Sequence, residues 1–150
     1  MRLTRRRFLP LPLVALVAAC APAAPAPGGS AGGSVGRRVS VEGGAYTRAT
    51  AADLSVMLAK KDFALVNVRV PNDGVIPGTD AHVPYDGIAD HLDKLPSDRS
   101  ARVFLYCRSG NTSQIAAKTL VRLGYTDVWD LDGGIAAWKA AGYRTLTWGQ

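Results

Sequence analysis

Cysteine, histidine and aromatic residues are all scarce in this chain. Its 150 residues include two cysteines, Cys20 and Cys107, and two histidines, His82 and His91. Two cysteines allow at most one disulfide. With both histidines scattered in sequence they make no ligand cluster, so no metal site is expected and His82 and His91 read as surface residues. Aromatic residues are 7% of the chain and do not interleave with basic ones, which leaves no platform for stacking nucleic-acid bases. Charge of one sign is also lacking once the N-terminus is set aside. The formal net charge of +6 includes Arg2 and Arg5 to Arg7; without these four of the 18 basic residues, residues 20–150 carry 14 basic and 12 acidic side chains, net +2. A near-neutral body gives no electrostatic case for nucleic acid. The apolar run Phe8 to Ala19 is too short to span a bilayer as a mature helix. No internal repeat is visible.

What is present begins with that N-terminus. Thr4-Arg5-Arg6-Arg7-Phe8-Leu9 resembles a twin-arginine export signal, and Val17-Ala18-Ala19-Cys20 resembles a bacterial lipobox. These resemblances imply a leader over residues 1–19 and lipidation of Cys20, giving an exported lipoprotein anchored to a membrane and facing the periplasm or another extracytoplasmic space. An uncleaved anchor, or a secretory signal with an incidental Cys20, are the alternatives. Residues 20–36 are rich in Ala, Pro, Gly and Ser, cannot bury a core and read as a flexible tether. Residues 37–150, about 115 in number, suffice for one modest domain.

Within that domain the pattern alternates. Arg38 to Glu42 reads as a short strand. Thr50 with Asp53 three residues on has the form of a helix N-cap, opening a helix to about Lys60. Phe63 to Val68 is a continuous apolar run, as expected of a strand buried on both faces. Pro71, Asn72, Gly74, Pro77 and Gly78 mark a long turn, and Ile88, Leu92 and Leu95 one face of a short helix stopped at Pro96. Val103 to Tyr106 is the next buried strand. Ser113 to Leu123 reads as a helix with Ile115, Ala116, Thr119, Leu120 and Leu123 inward and Gly124 as terminator. A strand at Val128 to Leu131 and a helix at Ile135 to Ala141, Trp138 inward, complete the series. Strands alternating with helices imply an α/β fold with a mostly parallel central sheet and helices on both faces. Reactive groups in such sheets lie beyond the carboxyl ends of the strands.

Cys107 falls at such an end. An apolar strand stops at the cysteine, a short polar loop with Gly110 follows, and a helix begins. Loop amides aimed inward and the positive end of a helix dipole both favour thiolate over thiol. A cysteine at a strand end is otherwise usually a small buried hydrophobe, but an inert one needs no polar nest after it. With Cys20 lipidated, Cys107 would be a single free thiol in an oxidising compartment, a liability unless it is used.

The loop Cys107-Arg108-Ser109-Gly110-Asn111-Thr112 resembles the Cys-Arg-x-Gly-x-Thr loop of the rhodanese-type sulfurtransferases. Leu65 to Arg69 is similar to the family's Asp-Val-Arg strand and Ile76-Pro77-Gly78-Thr79 to its Ile-Pro-Gly-Ala turn; Gly124 to Val128 and Leu131 to Trp138 resemble its closing segment. The likeness covers roughly residues 50 to 145. Asn67 stands for the usual Asp, Val70 where an acidic residue often follows the Arg, and no His precedes Ile76. These departures concern the family's structural ion pair around Arg69, not the cysteine loop.

The resemblance implies a rhodanese-like fold and a single-domain sulfurtransferase without cofactor. Cys107 would take the outer sulfur of a small anionic donor such as thiosulfate and hand it, as a persulfide, to a thiol or cyanide. Arg108, Ser109, Gly110, Asn111, Thr112 and Ser113 would bind the substrate, their amides holding the persulfide anion. No general base is required if the loop stabilises the anion. Thr112 or Ser113 would also cap the following helix. Arg108 resembles the basic residue of the thiosulfate-preferring branch. A phosphatase or arsenate reductase needs Cys-x5-Arg, and position 113 is Ser. The other alternative is a persulfide carrier or partner-binding module at the membrane surface, which would accept sulfur without turning over.

Overall fold

The computed structural model describes residues 35–72 and 74–148. The expected leader, Cys20 and the tether as far as residue 34 lie outside the described residues.

The domain opens with an antiparallel hairpin, β1 (Arg37–Val41) against β2 (Gly44–Ala49). It continues through α1 (Ala51–Leu58), β3 (Ala64–Asn67), β4 (Ala81–His82), β5 (Val103–Tyr106), α2 (Asn111–Arg122), β6 (Val128–Leu131) and α3 (Gly134–Ala140). The six strands make one sheet in the order β1-β2-β6-β5-β3-β4, and every neighbouring pair after the first is parallel. The mostly parallel sheet expected from the alternating pattern is therefore present.

Its two faces are covered as period-two alternation requires. Val103 and Leu105 of β5 pack with Val66 and with Ala116, Ala117, Leu120 and Val121 of α2. Phe104 and Tyr106 point the other way, into a cluster with Leu54 of α1 and Ile135 and Trp138 of α3. Burying both faces removes every side chain of β5 from water, worth about 1.5–3 kcal/mol for each large apolar one. α1 starts where its cap signal stands: Thr50 Oγ1 accepts from the Asp53 amide at 3.2 Å, and Asp53 Oδ2 accepts from the Thr50 amide at 2.9 Å.

β2 was not foreseen, because Gly44 to Ala49 is short and half polar, and its strand character comes from pairing between β1 and β6. The helix expected over Ile88 to Leu95 is two 3-10 turns, Ile88–Asp90 and Leu92–Lys94. α2 begins two residues earlier than expected, and Ile115 is 49% exposed rather than inward. The buried stripe runs Ser113, Ala116, Ala117, Leu120, Val121, so Ile115, about 200° round the helix from Ser113, faces outward. His82 is half-buried on β4, its Nε2 2.7 Å from the Arg69 carbonyl oxygen, and His91 is half-buried too, so both keep part of their surface in solvent.

Candidate active site

β5 ends at Tyr106, and the next residue, Cys107, lies at the carboxyl edge of the sheet just before α2. Two glycine positions shape the turn between them. Gly110 sits at φ 86° as the residue before α2, a left-handed conformation in which a side chain is strained. The expected side-chain cap from Thr112 or Ser113 is absent: both lie within the first turn of α2 and Gly110 occupies the cap position. Gly134, at φ 58°, lies so close beneath the loop that a Cβ there would come within 2.4 Å of the Cys107 carbonyl oxygen.

That close approach lets the start of α3 hold the loop's outer side. The amides of Ile135 and Ala136 donate to the carbonyls of Cys107 and Arg108, both at 2.9 Å. With those carbonyls turned toward α3, the loop amides face the sulfur. The Gly110 amide donates to Cys107 Sγ at 3.1 Å, and Gln114 Nε2 ties the Gly110 carbonyl at 2.7 Å. Cys107 is buried, with only 2% of the residue exposed. Burial pushes its pKa up, but the hydroxyls of Ser113 and Thr112 and the amides of Ser113 and Ser109 outweigh it, and the thiol is held below its ordinary value.

The loop residues singled out in the sequence play two parts, and Ser109 shares in both through its amide and its side chain. Ser109, Gly110, Thr112 and Ser113 reach Cys107 through amides or hydroxyls. The side chains of Arg108, Ser109 and Asn111 are exposed on the outer rim, where an anion could meet them.

Two residues at this site escaped the sequence reading, Asp130 and Arg48. Strand β6 pairs with β5 so that Asp130 lies opposite Leu105, on the α2 side of the sheet. Its carboxylate is fully buried; Oδ1 accepts from Ser113 Oγ at 2.5 Å and Oδ2 pairs with Arg48 Nε at 3.1 Å. Arg48 reaches on to Asp132 Oδ1 at 2.6 Å. Burial pushes the Asp130 pKa up to about 6 despite the Ser113 hydroxyl and the Arg48 charge. The signal was a carboxylate inside an otherwise buried strand; Arg48 had none, because β2 itself was not foreseen. Asn67, standing where the family has Asp, provides hydrogen bonds instead of charge. Its Nδ2 donates to Asn72 Oδ1 at 2.9 Å and to the Gly74 carbonyl at 3.3 Å, while its Oδ1 accepts from the Arg69 amide at 3.0 Å.

Fold and site together define an α/β protein that presents a buried cysteine, its thiol pKa lowered by surrounding donors, at the carboxyl ends of a parallel sheet. Residues 50–141 match the Rhodanese-like domain family. The chain is 34% identical over 100 residues to the thiosulfate sulfurtransferase GlpE of Pseudoalteromonas translucida, a match covering 65% of this chain and 92% of that protein. It is 38% identical over 85 residues to a sulfurtransferase of Allochromatium vinosum, covering 55% and 77%. The crystal structure of a rhodanese-related protein from Thermoplasma volcanium matches with a TM-score of 0.56 at 28% identity, over 65% of this chain and 95% of that one. The chain belongs to the rhodanese-like domain family.

Proposed function

We propose that this protein is a thiosulfate sulfurtransferase working through a persulfide on Cys107. The observation that carries the reading is the convergence of the Gly110 amide and of the Ser109, Thr112 and Ser113 donors on one buried sulfur, which lowers the thiol pKa. The names of the relatives support the choice of thiosulfate. The Cys107 thiolate attacks the outer sulfur of thiosulfate. The donor's S–S bond breaks, sulfite leaves with the electron pair, and Cys107 carries a persulfide anion held by the same donors. A thiol or cyanide then attacks the outer sulfur and Cys107 leaves as thiolate, ready for the next cycle.

Intact-mass analysis after incubation with thiosulfate tests the reading. One added sulfur on Cys107, removed by cyanide, is the expected result; no addition would overturn the mechanism. A sulfur that is accepted once and stays in the presence of cyanide or a small thiol would mark a carrier instead of a turnover enzyme.

We propose further that the protein is exported and lipidated at Cys20, anchored to a membrane and facing the extracytoplasmic side. The arginine run Arg5 to Arg7 and the lipobox-like Val17 to Cys20 support this. Cys20→Ala is expected to release the protein from membranes or leave its leader in place. Unchanged partitioning together with unchanged mature mass would sink the idea.

A further inference from the structure

Ser113 stands between two groups that both need a proton donor when charged. Its hydroxyl donates to Asp130 Oδ1 at 2.5 Å, and the same hydroxyl is among the donors that lower the Cys107 thiol pKa. A serine has a single hydroxyl proton, so it serves one of the two anions at a time. All three residues are closed to solvent, Ser113 and Asp130 fully and Cys107 to 2%. We propose that Asp130 is the positioning residue for Cys107, acting through Ser113: a protonated Asp130 keeps its proton, donates a hydrogen bond to Ser113 Oγ and so turns the Ser113 hydroxyl toward the sulfur, whereas an ionised Asp130 claims that hydroxyl and holds Cys107 as thiol. This rests on the sulfur-transfer reading for what the thiolate is used for.

The two arrangements of the singly charged pair interconvert by proton movement alone. The Cys107 S–H bond breaks and its proton goes to Ser113 Oγ; the former Ser113 proton goes to Asp130 Oδ1; the negative charge moves from carboxylate to sulfur. No electrons change hands. The surroundings favour one negative charge rather than two. β2 contributes Arg48, whose Nε faces Asp130 Oδ2, and Tyr46, whose ionisation is resisted by burial and by the Asp130 charge. The turn after β6 contributes Asp132, a second carboxylate that already engages Arg48. α2 contributes Ser113, and β5 only apolar Leu105 opposite Asp130, with Cys107 beyond it. A raised Asp130 pKa, about 6, and a lowered thiol bring the two proton affinities toward each other.

The consequence is a pH profile unlike that of an isolated thiol. Alkylation by iodoacetamide, read on the Cys107 peptide by mass, reports thiolate whether or not the protein transfers sulfur. In the full wild-type chain the rate is expected to rise with pH, level into a shoulder starting at about 6, where Asp130 ionises, and rise again as the second proton leaves. Asp130→Asn should give a single rise, with a rate equal to wild type on the acid side and about tenfold higher near neutrality, the equivalent of about one unit in thiol pKa. In a Ser113→Ala background the same Asp130→Asn change should have a smaller effect, because the shared hydroxyl is gone. A wild-type profile with one rise overturns the proposal even if Asp130→Asn does not fold. An Asp130→Asn effect of undiminished size in the Ser113→Ala background also overturns it, leaving only through-space charge. If the sulfur-transfer reading fails instead, thiosulfate adds no mass to Cys107 while the shoulder persists.

Discussion

At the scale of single residues, Cys107 and Arg108 are neighbours with opposite placements. One is buried among donors and the other projects from the rim. Replacing sulfur by oxygen at Cys107 changes little in shape but removes a polarisable nucleophile. Cys107→Ser is therefore expected to abolish sulfur transfer while leaving the circular dichroism spectrum and thermal midpoint near wild type; residual transfer would move the chemistry elsewhere. Arg108 acts differently. An exposed charge at the entrance strengthens encounter with a dianion, and salt screens that effect. Arg108→Gly should lower the second-order rate with thiosulfate by roughly threefold to tenfold at low salt, with a smaller loss for 3-mercaptopyruvate and a flatter salt dependence. Equal losses for both donors would mean that Arg108 only shapes the loop.

At the scale of elements, the site depends on α3 being docked against the turn that leads into α2. The contact is possible because Gly134 has no Cβ and occupies φ 58°. Gly134→Ala forces apart the start of α3 and the Cys107 carbonyl, and is expected to destabilise the domain by about 2–4 kcal/mol. Since the loop amides lose their orientation as well, Cys107 should lose its lowered pKa, which an alkylation profile would reveal. A thermal midpoint and thiol reactivity both unchanged would refute the docking argument. The sequence carried the parts of this arrangement that are local. The strand at Val103 to Tyr106, the cap at Thr50, the cysteine loop and the helix after it all follow from runs, turns and spacing within a dozen residues. The parts assembled across the sheet were not legible. Arg48 and Asp130 are 82 residues apart and meet because β2 and β6 are neighbours. A short, half-polar strand such as β2 acquires its identity from its partners. Ile115 was misplaced for a related reason: the inward stripe of α2 starts from a polar residue, Ser113, whose place is set by Asp130 rather than by hydrophobicity.

At the scale of the whole molecule, the buried carboxylate that adjusts the thiol also links folding to pH. Asp130 has a pKa of about 6 in the folded protein against 3.8 for the free side chain. A carboxyl whose pKa is raised by folding binds its proton more tightly in the native state. Its contribution to stability is thus fully present below about 3.8 and is lost as pH rises through about 6. The rise from 3.8 to about 6 corresponds to ~3 kcal/mol withheld at neutral pH. Other carboxylates titrate in the same window, so the clean quantity is the difference between wild type and Asp130→Asn, in which they cancel. Asn keeps the shape and cannot ionise, and the pH dependence of the wild-type Arg48–Asp130 pair is already contained in the Asp130 pKa. Urea unfolding of both proteins should therefore show Asp130→Asn gaining up to ~3 kcal/mol on wild type between about pH 4 and pH 7. A constant difference across that interval would mean that Asp130 folds with an ordinary pKa. A difference moving the other way would mean that Arg48 and Ser113 stabilise the ionised carboxylate more than burial destabilises it.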